Sequence, residues 1–297
     1  MPLADATLAL FPGQGALEPL SGVAWRNDPD WSIVADISDI ARTDVSRLLL
    51  AADHDEIVRT DNAQIATFAL SLVTFRSFLR EAEAPQHYVG HSLGEFSALV
   101  AAGVISLEDG ARLVAARGRA MASAAEQEPG SMAALMGGKD GDFSKVLDLD
   151  GVWLGNVNGP DQIVVSGRTP ALEELERNVL QYGWKKCRIL RVGGAFHSPL
   201  MSPAIGALRD VLEKTTFHET TKTIYANVDG APHHGGAVWR NLAERQLTEP
   251  VQFVRCIESA EVSVARAVEF QPAGVLKGLV KRIAPSMELS IFEGGTK

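Results

Sequence analysis

His87-Tyr88-Val89-Gly90-His91-Ser92-Leu93-Gly94-Glu95, running on through Ala102 to Gly103, is the stretch that decides the fold. His87-Tyr88-Val89 is a strand candidate. Glu95 to Ala102 are good helix formers, and Gly103 stops them. Between the two lies the pattern Gly-x-Ser-x-Gly. A serine on a sharp strand-to-helix turn has its hydroxyl pushed out of the backbone at the positive end of a helix. The N–H of Leu93 is then free to bind a developing oxyanion, an arrangement suited to acyl transfer through a serine ester if a base lies nearby.

Outward from this turn the chain keeps an α/β texture. Thr7-Leu8-Ala9-Leu10-Phe11 reads as a buried strand ended by Pro12-Gly13-Gln14-Gly15. Ile65, Phe68, Leu72, Phe75 and Leu79 predict a core-facing helix over 63–80, and Ser106-x-x-Asp109 starts a second one through about Ala124. The texture then changes. Strands are expected at 131–136, 152–155, 162–167 and 186–192, with the turn Asn158-Gly159-Pro160 and a helix over 170–182. Strand-helix-strand-strand-helix-strand is a ferredoxin-like signature. The expected organisation is a large α/β domain over 1–123 and 193–297, with a small ferredoxin-like domain, 124–192, inserted in it. Beyond Gly193 the pattern gives a strand at 223–227, a helix entered through Thr248-Glu249-Pro250, a strand at 267–270 and a helix over 274–283.

Composition excludes several classes. The chain has 297 residues, 46% hydrophobic and 22% charged, as in ordinary globular proteins. A net charge of −9 argues against general binding to nucleic acid. No apolar run approaches the ~20 residues needed to cross a bilayer, and Met1-Pro2-Leu3-Ala4-Asp5 has no basic leader region. Cys187 and Cys256 show no metal-ligand spacing and read as reduced thiols. A cytoplasmic, metal-free monomer is expected.

Seven histidines could supply the base. His54, His87 and His233-His234 read as solvated loops, and His91, adjacent to the serine on the turn, as a packing residue. His197 differs, because it follows an apolar strand in Gly193-Gly194-Ala195-Phe196-His197-Ser198-Pro199, where sheet topologies place functional residues. On the second helix after the serine, Arg117 or Arg119 could turn inward. An unpaired guanidinium there would demand an anionic partner. Spacing does not choose between the two arginines.

These blocks together resemble the acyl-carrier-protein S-malonyltransferases and the acyltransferase domains of polyketide synthases. The resemblance is carried by 11–15 (FPGQG), 90–95 (GHSLGE), 116–121 (ARGRAM), 162–167 (QIVVSG), 194–201 (GAFHSPLM), 226–228 (ANV) and 246–251 (QLTEPV). It implies an α/β-hydrolase-like large domain and a catalytic Ser92–His197 pair. It also implies an oxyanion hole from the N–H groups of Gln14 and Leu93. Arg117, rather than Arg119, would hold the free carboxylate of a dicarboxylic acyl group, and the main chain of Gln246 would orient His197. Asn158, Asn227 and His91 would lie near the pocket. The implied substrates are malonyl-CoA and an acyl carrier protein, with no cofactor beyond the partner's phosphopantetheine. Leu93 and Phe196 resemble the malonyl-type pattern; a hydrophobic pocket separates one methyl by about 1–3 kcal/mol, a preference only. Transfer of another acyl unit, or editing hydrolysis by the same pair, are the alternatives.

Three stretches depart from the family pattern: 16–29 after Gly15, Gln64-Ile65-Ala66, and Glu269-Phe270-Gln271-Pro272-Ala273. They open the question of altered acyl or carrier specificity. Lys185, Lys186, Arg188 and Arg191, with Lys277, Lys281 and Arg282, are the candidate basic patch for an acidic carrier.

Overall fold

The computed structural model describes residues 3–138 and 143–294; Met1 and Pro2 of the N-terminal stretch lie outside the described residues. Among the described residues ten strands form two sheets. They are β1 (Leu3–Phe11), β2 (His87–Gly90), β3 (Ser131–Met136), β4 (Val152–Gly159), β5 (Gln162–Gly167), β6 (Lys186–Ile189), β7 (Glu219–Tyr225), β8 (Pro232–Gly235), β9 (Val264–Glu269) and β10 (Glu288–Ile291). The large sheet runs β10-β9-β1-β2-β7-β8. It is parallel apart from β8, which pairs antiparallel with β7. The small sheet runs β4-β5-β3-β6 and is antiparallel throughout. Numbered within that unit the order is 2-3-1-4, the ferredoxin-like arrangement anticipated from its strand and helix pattern.

The helix Thr60–Leu79 is buried at 15 of its 20 residues, so it is a central helix wrapped on every side rather than one with a wet face. Its Phe75 meets Phe11 of β1 edge-on at 5.6 Å and Phe270 after β9 at 5.3 Å. Such pairs add about 0.5–1.5 kcal/mol each beyond area burial. The helix Leu107–Gln127 starts at the Ser106 cap, whose hydroxyl accepts the N–H of Asp109 at 3.0 Å. It packs close to the central helix, because a Cβ on Gly118 would sit 3.0 Å from the backbone of Asp61. That approach brings Arg117 against Gln64.

Several elements differ from the sequence reading. Asn158 belongs to β4, and the turn to β5 is made by Pro160 and Asp161. The helix expected from Thr248 begins at Phe253. Val251 exchanges backbone hydrogen bonds with Gly155 (2.9 Å) and Val157 (2.8 Å), which ties it to β4 as an isolated bridge ahead of the helix. His233 and His234 lie in β8 rather than in a loop, and His54 opens the short helix His54–Ile57. Helices Ile205–Leu212 and Val238–Arg245 and strand β10 had no counterpart in the pattern reading.

Candidate active site

Parallel sheets present their strand C-termini together, and the site is built there. Phe11 ends β1 in register with Gly90 at the end of β2. The Pro12–Gly15 loop and the Ser92 turn therefore lie side by side, and the N–H of His91 donates to Phe11 O at 3.0 Å. Both glycines of the turn are required by space. A Cβ on Gly90 would lie 2.0 Å from Gly94 C, and one on Gly94 would lie 2.0 Å from Phe11 O. Ser92 itself takes φ 53°, a left-handed conformation that non-glycine residues seldom adopt and that clusters at functional turns.

Ser92 Oγ is 2.7 Å from His197 Nε2, although 105 residues separate them in the chain. His197 also has positive φ, 56°. Its Nδ1 lies 2.7 Å from Gln246 O, so Nδ1 donates to that carbonyl and leaves Nε2 able to accept the serine proton. Burial first, and then the Arg117 charge, push His197 down to about 3, so the free imidazole is neutral. The loop before it is pinned by the Ser166 hydroxyl, which donates to Phe196 O.

Arg117 lies behind the serine, 1% exposed. It donates to Ser92 Oγ at 3.2 Å, Gln64 Oε1 at 2.8 Å and Gln246 Oε1 at 2.9 Å, and it covers the Phe96 ring at 5.4 Å. Among the described residues its Nε has no partner, and its other nitrogens bond only to a hydroxyl and two amide oxygens. Burial lowers it to about 10, well above neutrality, so a buried cation waits here without a contacting anion. Arg119 instead is exposed and donates to Ala41 O at 3.3 Å.

The surrounding residues form one network. Asn227 Oδ1 accepts the Ser92 N–H at 2.7 Å, and its Nδ2 donates to Gly90 O at 2.7 Å. Gln246 Nε2 donates to Ser92 O at 3.0 Å and Glu95 Oε1 at 2.7 Å, while Glu95 Oε2 accepts the Asn227 N–H at 2.6 Å. His91 Nε2 meets Asn158 Oδ1 at 2.9 Å, and burial lowers its pKa. The backbone N–H groups of Gln14 and Leu93 make no hydrogen bond to any described residue.

Before the serine opens a cleft of about 250 Å³ between the two sheets. Gly13–Ala16, His91, Asn156 and Asn158 line it, together with Phe196, Met132, Val275, Leu276 and Leu279. The arrangement can remove a proton from a serine, hold a negative oxygen on main-chain amides and bind a carboxylate at the back. Glu95, Gln64 and Asn156 are given no role at the site by the sequence reading. Glu95 alone carried a local signal, as an acid three residues after the serine. Of the departing stretches, only 16–29 reaches the cleft, through Ala16. Trp25 packs against Phe292, and the buried carboxylate of Asp28 accepts from Ser77 and Arg80, both at 2.8 Å.

Comparison with known proteins agrees over nearly the whole chain. The family described as acyl transferase domain matches residues 34–286. A malonyl CoA-acyl carrier protein transacylase of Mycobacterium tuberculosis is 34% identical, over 92% of this chain and 91% of that protein. The crystal structure of MCAT from Mycobacterium tuberculosis superposes with a TM-score of 0.91 at 32% identity, covering 96% of each chain. A malonyl-transacylase solved in complex with its type II polyketide-synthase acyl-carrier protein gives a TM-score of 0.91 at 30% identity, covering 97% of this chain and 96% of that one.

Proposed function

This chain belongs to the acyl transferase domain family, and from that premise we propose that it carries a malonyl group from coenzyme A to the phosphopantetheine thiol of an acyl carrier protein, by way of an ester on Ser92. The observation that carries the reading is the position of Ser92 Oγ between His197 Nε2 at 2.7 Å and the buried Arg117 guanidinium at 3.2 Å. A base and an anion receptor on one hydroxyl suit an acyl group that bears its own carboxylate.

His197 takes the Ser92 proton as Oγ attacks the thioester carbon. The tetrahedral oxyanion is held by the N–H groups of Gln14 and Leu93; losing one such donor typically costs about 10²–10³ in rate. The C–S bond breaks, the coenzyme A sulfur takes the proton back from His197, and malonyl-Ser92 remains. The carrier's thiol then enters, gives its proton to His197 and attacks the ester, and Ser92 leaves with that proton. Ester and thioester are close in energy, so the exchange runs both ways, as ping-pong transfer requires. Throughout, the Gln246 carbonyl keeps Nδ1 protonated. Arg117 holds the malonyl carboxylate, and the Phe196 ring lining the cleft crowds the position an α-methyl would take. The cycle uses no cofactor of its own. Every group in it comes from one chain, which we take as the acting monomer. No helix among the described residues is long and apolar enough to cross a membrane, and both cysteines are free, which supports a cytoplasmic location.

Intact mass measurement tests the proposal. After malonyl-CoA is added, a malonyl adduct should appear on Ser92, be absent in Ser92→Ala, and persist until holo-carrier protein discharges it. An adduct that vanishes at the same rate without carrier would make the protein a hydrolase. No adduct with malonyl-CoA, but one with an uncharged acyl-CoA, would overturn the role given to Arg117.

A further inference from the structure

We propose that Glu95 is a positioning residue for this site, its carboxylate anchoring through Asn227 and Gln246 both the turn that carries Ser92 and the guanidinium of Arg117. The inference rests on the reading of Ser92 as the nucleophile. An acidic side chain in the first turn of a helix ordinarily serves that helix, through its terminal N–H groups or its dipole. Glu95 does neither. The helix Gly94–Ala101 has no side-chain cap, and both Glu95 oxygens are spent on partners more than 130 residues away. The residue is 0% exposed, and burial pushes its carboxyl up to about 8 against the opposing pull of the Asn227 N–H, the Gln246 amide and the Arg117 charge. With a donor on each oxygen, the ionised form is the one these contacts fit.

What those partners do gives the cost a purpose. Asn227, held by its N–H on Glu95 Oε2, grips the serine turn at both ends, at the Ser92 N–H and at Gly90 O. Gln246 is held by its Nε2 on Glu95 Oε1. With the NH₂ end committed to Glu95 and Ser92 O, the oxygen end must face Arg117, where it accepts at 2.9 Å. A flipped carboxamide would set an NH₂ group against the guanidinium and an oxygen against a carboxylate. Glu95 therefore fixes which end of Gln246 Arg117 meets. Both partners of Glu95 are donors, so the position needs two acceptors on one side chain. A carboxylate has them, and a carboxamide does not.

Glu95→Gln is the test, since it keeps the size and removes one acceptor. The rate of Ser92 labelling by a fluorophosphonate reads the nucleophile without any acyl donor. Counted per active site, it should fall about tenfold, the scale of one charge-assisted hydrogen bond. With acetyl-CoA, which has no carboxylate to clamp, the loss should fall on kcat and leave KM within about twofold, because ground-state contacts are retained. The preference for malonyl over acetyl should shrink as well. Wild-type labelling per active site with an unchanged malonyl preference would overturn the inference. So would a loss fully explained by a smaller folded fraction in thermal melts. If the wild-type protein labels readily but never holds malonyl, the proposed function fails, while the labelling comparison still decides the part played by Glu95.

Discussion

His197 is depressed by two influences of different kinds. Burial is a fixed property of the fold, but the second influence, the Arg117 charge, is one that a bound carboxylate would neutralise. A malonyl group paired with Arg117 should therefore make His197 a stronger base at the moment it is needed, whereas an acetyl group should not. Arg117→Ala removes the guanidinium permanently. Loss of its charge-assisted hydrogen bonds to the malonyl carboxylate, ~1.5–3 kcal/mol each, should lower malonyl transfer roughly 10²-fold or more. Acetyl transfer should be spared or improved. The sign of the pH effect follows directly: a neighbouring cation holds the imidazole pKa down, so removing it raises that pKa toward the ordinary 6.5. In Arg117→Ala the acid limb of the acetyl-transfer profile should move to higher pH than in the wild type. Rates with acetyl-CoA between about pH 4 and 8 measure it. An unmoved limb, or equal loss of malonyl and acetyl transfer, would remove the clamp role.

At the scale of elements, the glycines of the two loops divide by what surrounds them. Gly90 and Gly94 each face backbone at 2.0 Å, and backbone cannot swing aside as a side chain can. Gly90→Ala or Gly94→Ala should force the serine turn apart from β1 and cost about 3 kcal/mol or more, read as a large drop in thermal midpoint. Gly15, in the neighbouring loop, has nothing within 4 Å of where its Cβ would be. Gly15→Ala should stay within about 0.5 kcal/mol of the wild type in the same melts. This contrast marks where the sequence was legible. Runs such as Thr7–Phe11 and 131–136 showed both sheets, because a buried strand writes its apolar residues contiguously. β8 (Pro-His-His-Gly) and β10 (Glu-Leu-Ser-Ile) carry too little apolar pattern to be seen, and His233-His234 reads as a loop until β7 is placed beside it. The late start of the Phe253–Glu261 helix depends on a bridge from Val251 to β4 that no local signal encodes. The site divides in the same way. Ser92 and His197 sit in motifs with their own turn chemistry. The partnership of Arg117 with Gln64 and Gln246 exists only once two helices and a distant loop have packed.

For the whole molecule, the cleft between the sheets has two lips of matching design. On one, the chain leaving β6 turns Leu190 and Val192 into the cleft while Arg188 and Arg191 stay exposed. On the other, the helix Val275–Ile283 gives Val275, Leu276 and Leu279 to the cleft, with Lys281 and Arg282 exposed. Arg282 leans toward the small sheet, 4.0 Å from Asp161. That helix is held at its start by Glu269, whose oxygens accept the N–H groups of Leu276 and Lys277, both at 2.9 Å. Glu269 opens one of the stretches that depart from the family pattern, and its place in the structure is to fix a lip. On a chain of net charge −9, the exposed cations of these two elements should offer an acidic carrier a local attraction that the molecule as a whole denies it. Reversing one charge on each lip, Arg191→Glu with Lys281→Glu, should raise KM for holo-carrier protein about tenfold and flatten its dependence on salt. Transfer from malonyl-Ser92 to free pantetheine, which has no charge, should keep its wild-type rate because neither side chain reaches the serine. If pantetheine and carrier protein lost rate together, the substitutions would have deformed the cleft. If neither changed, the carrier would approach over some other surface.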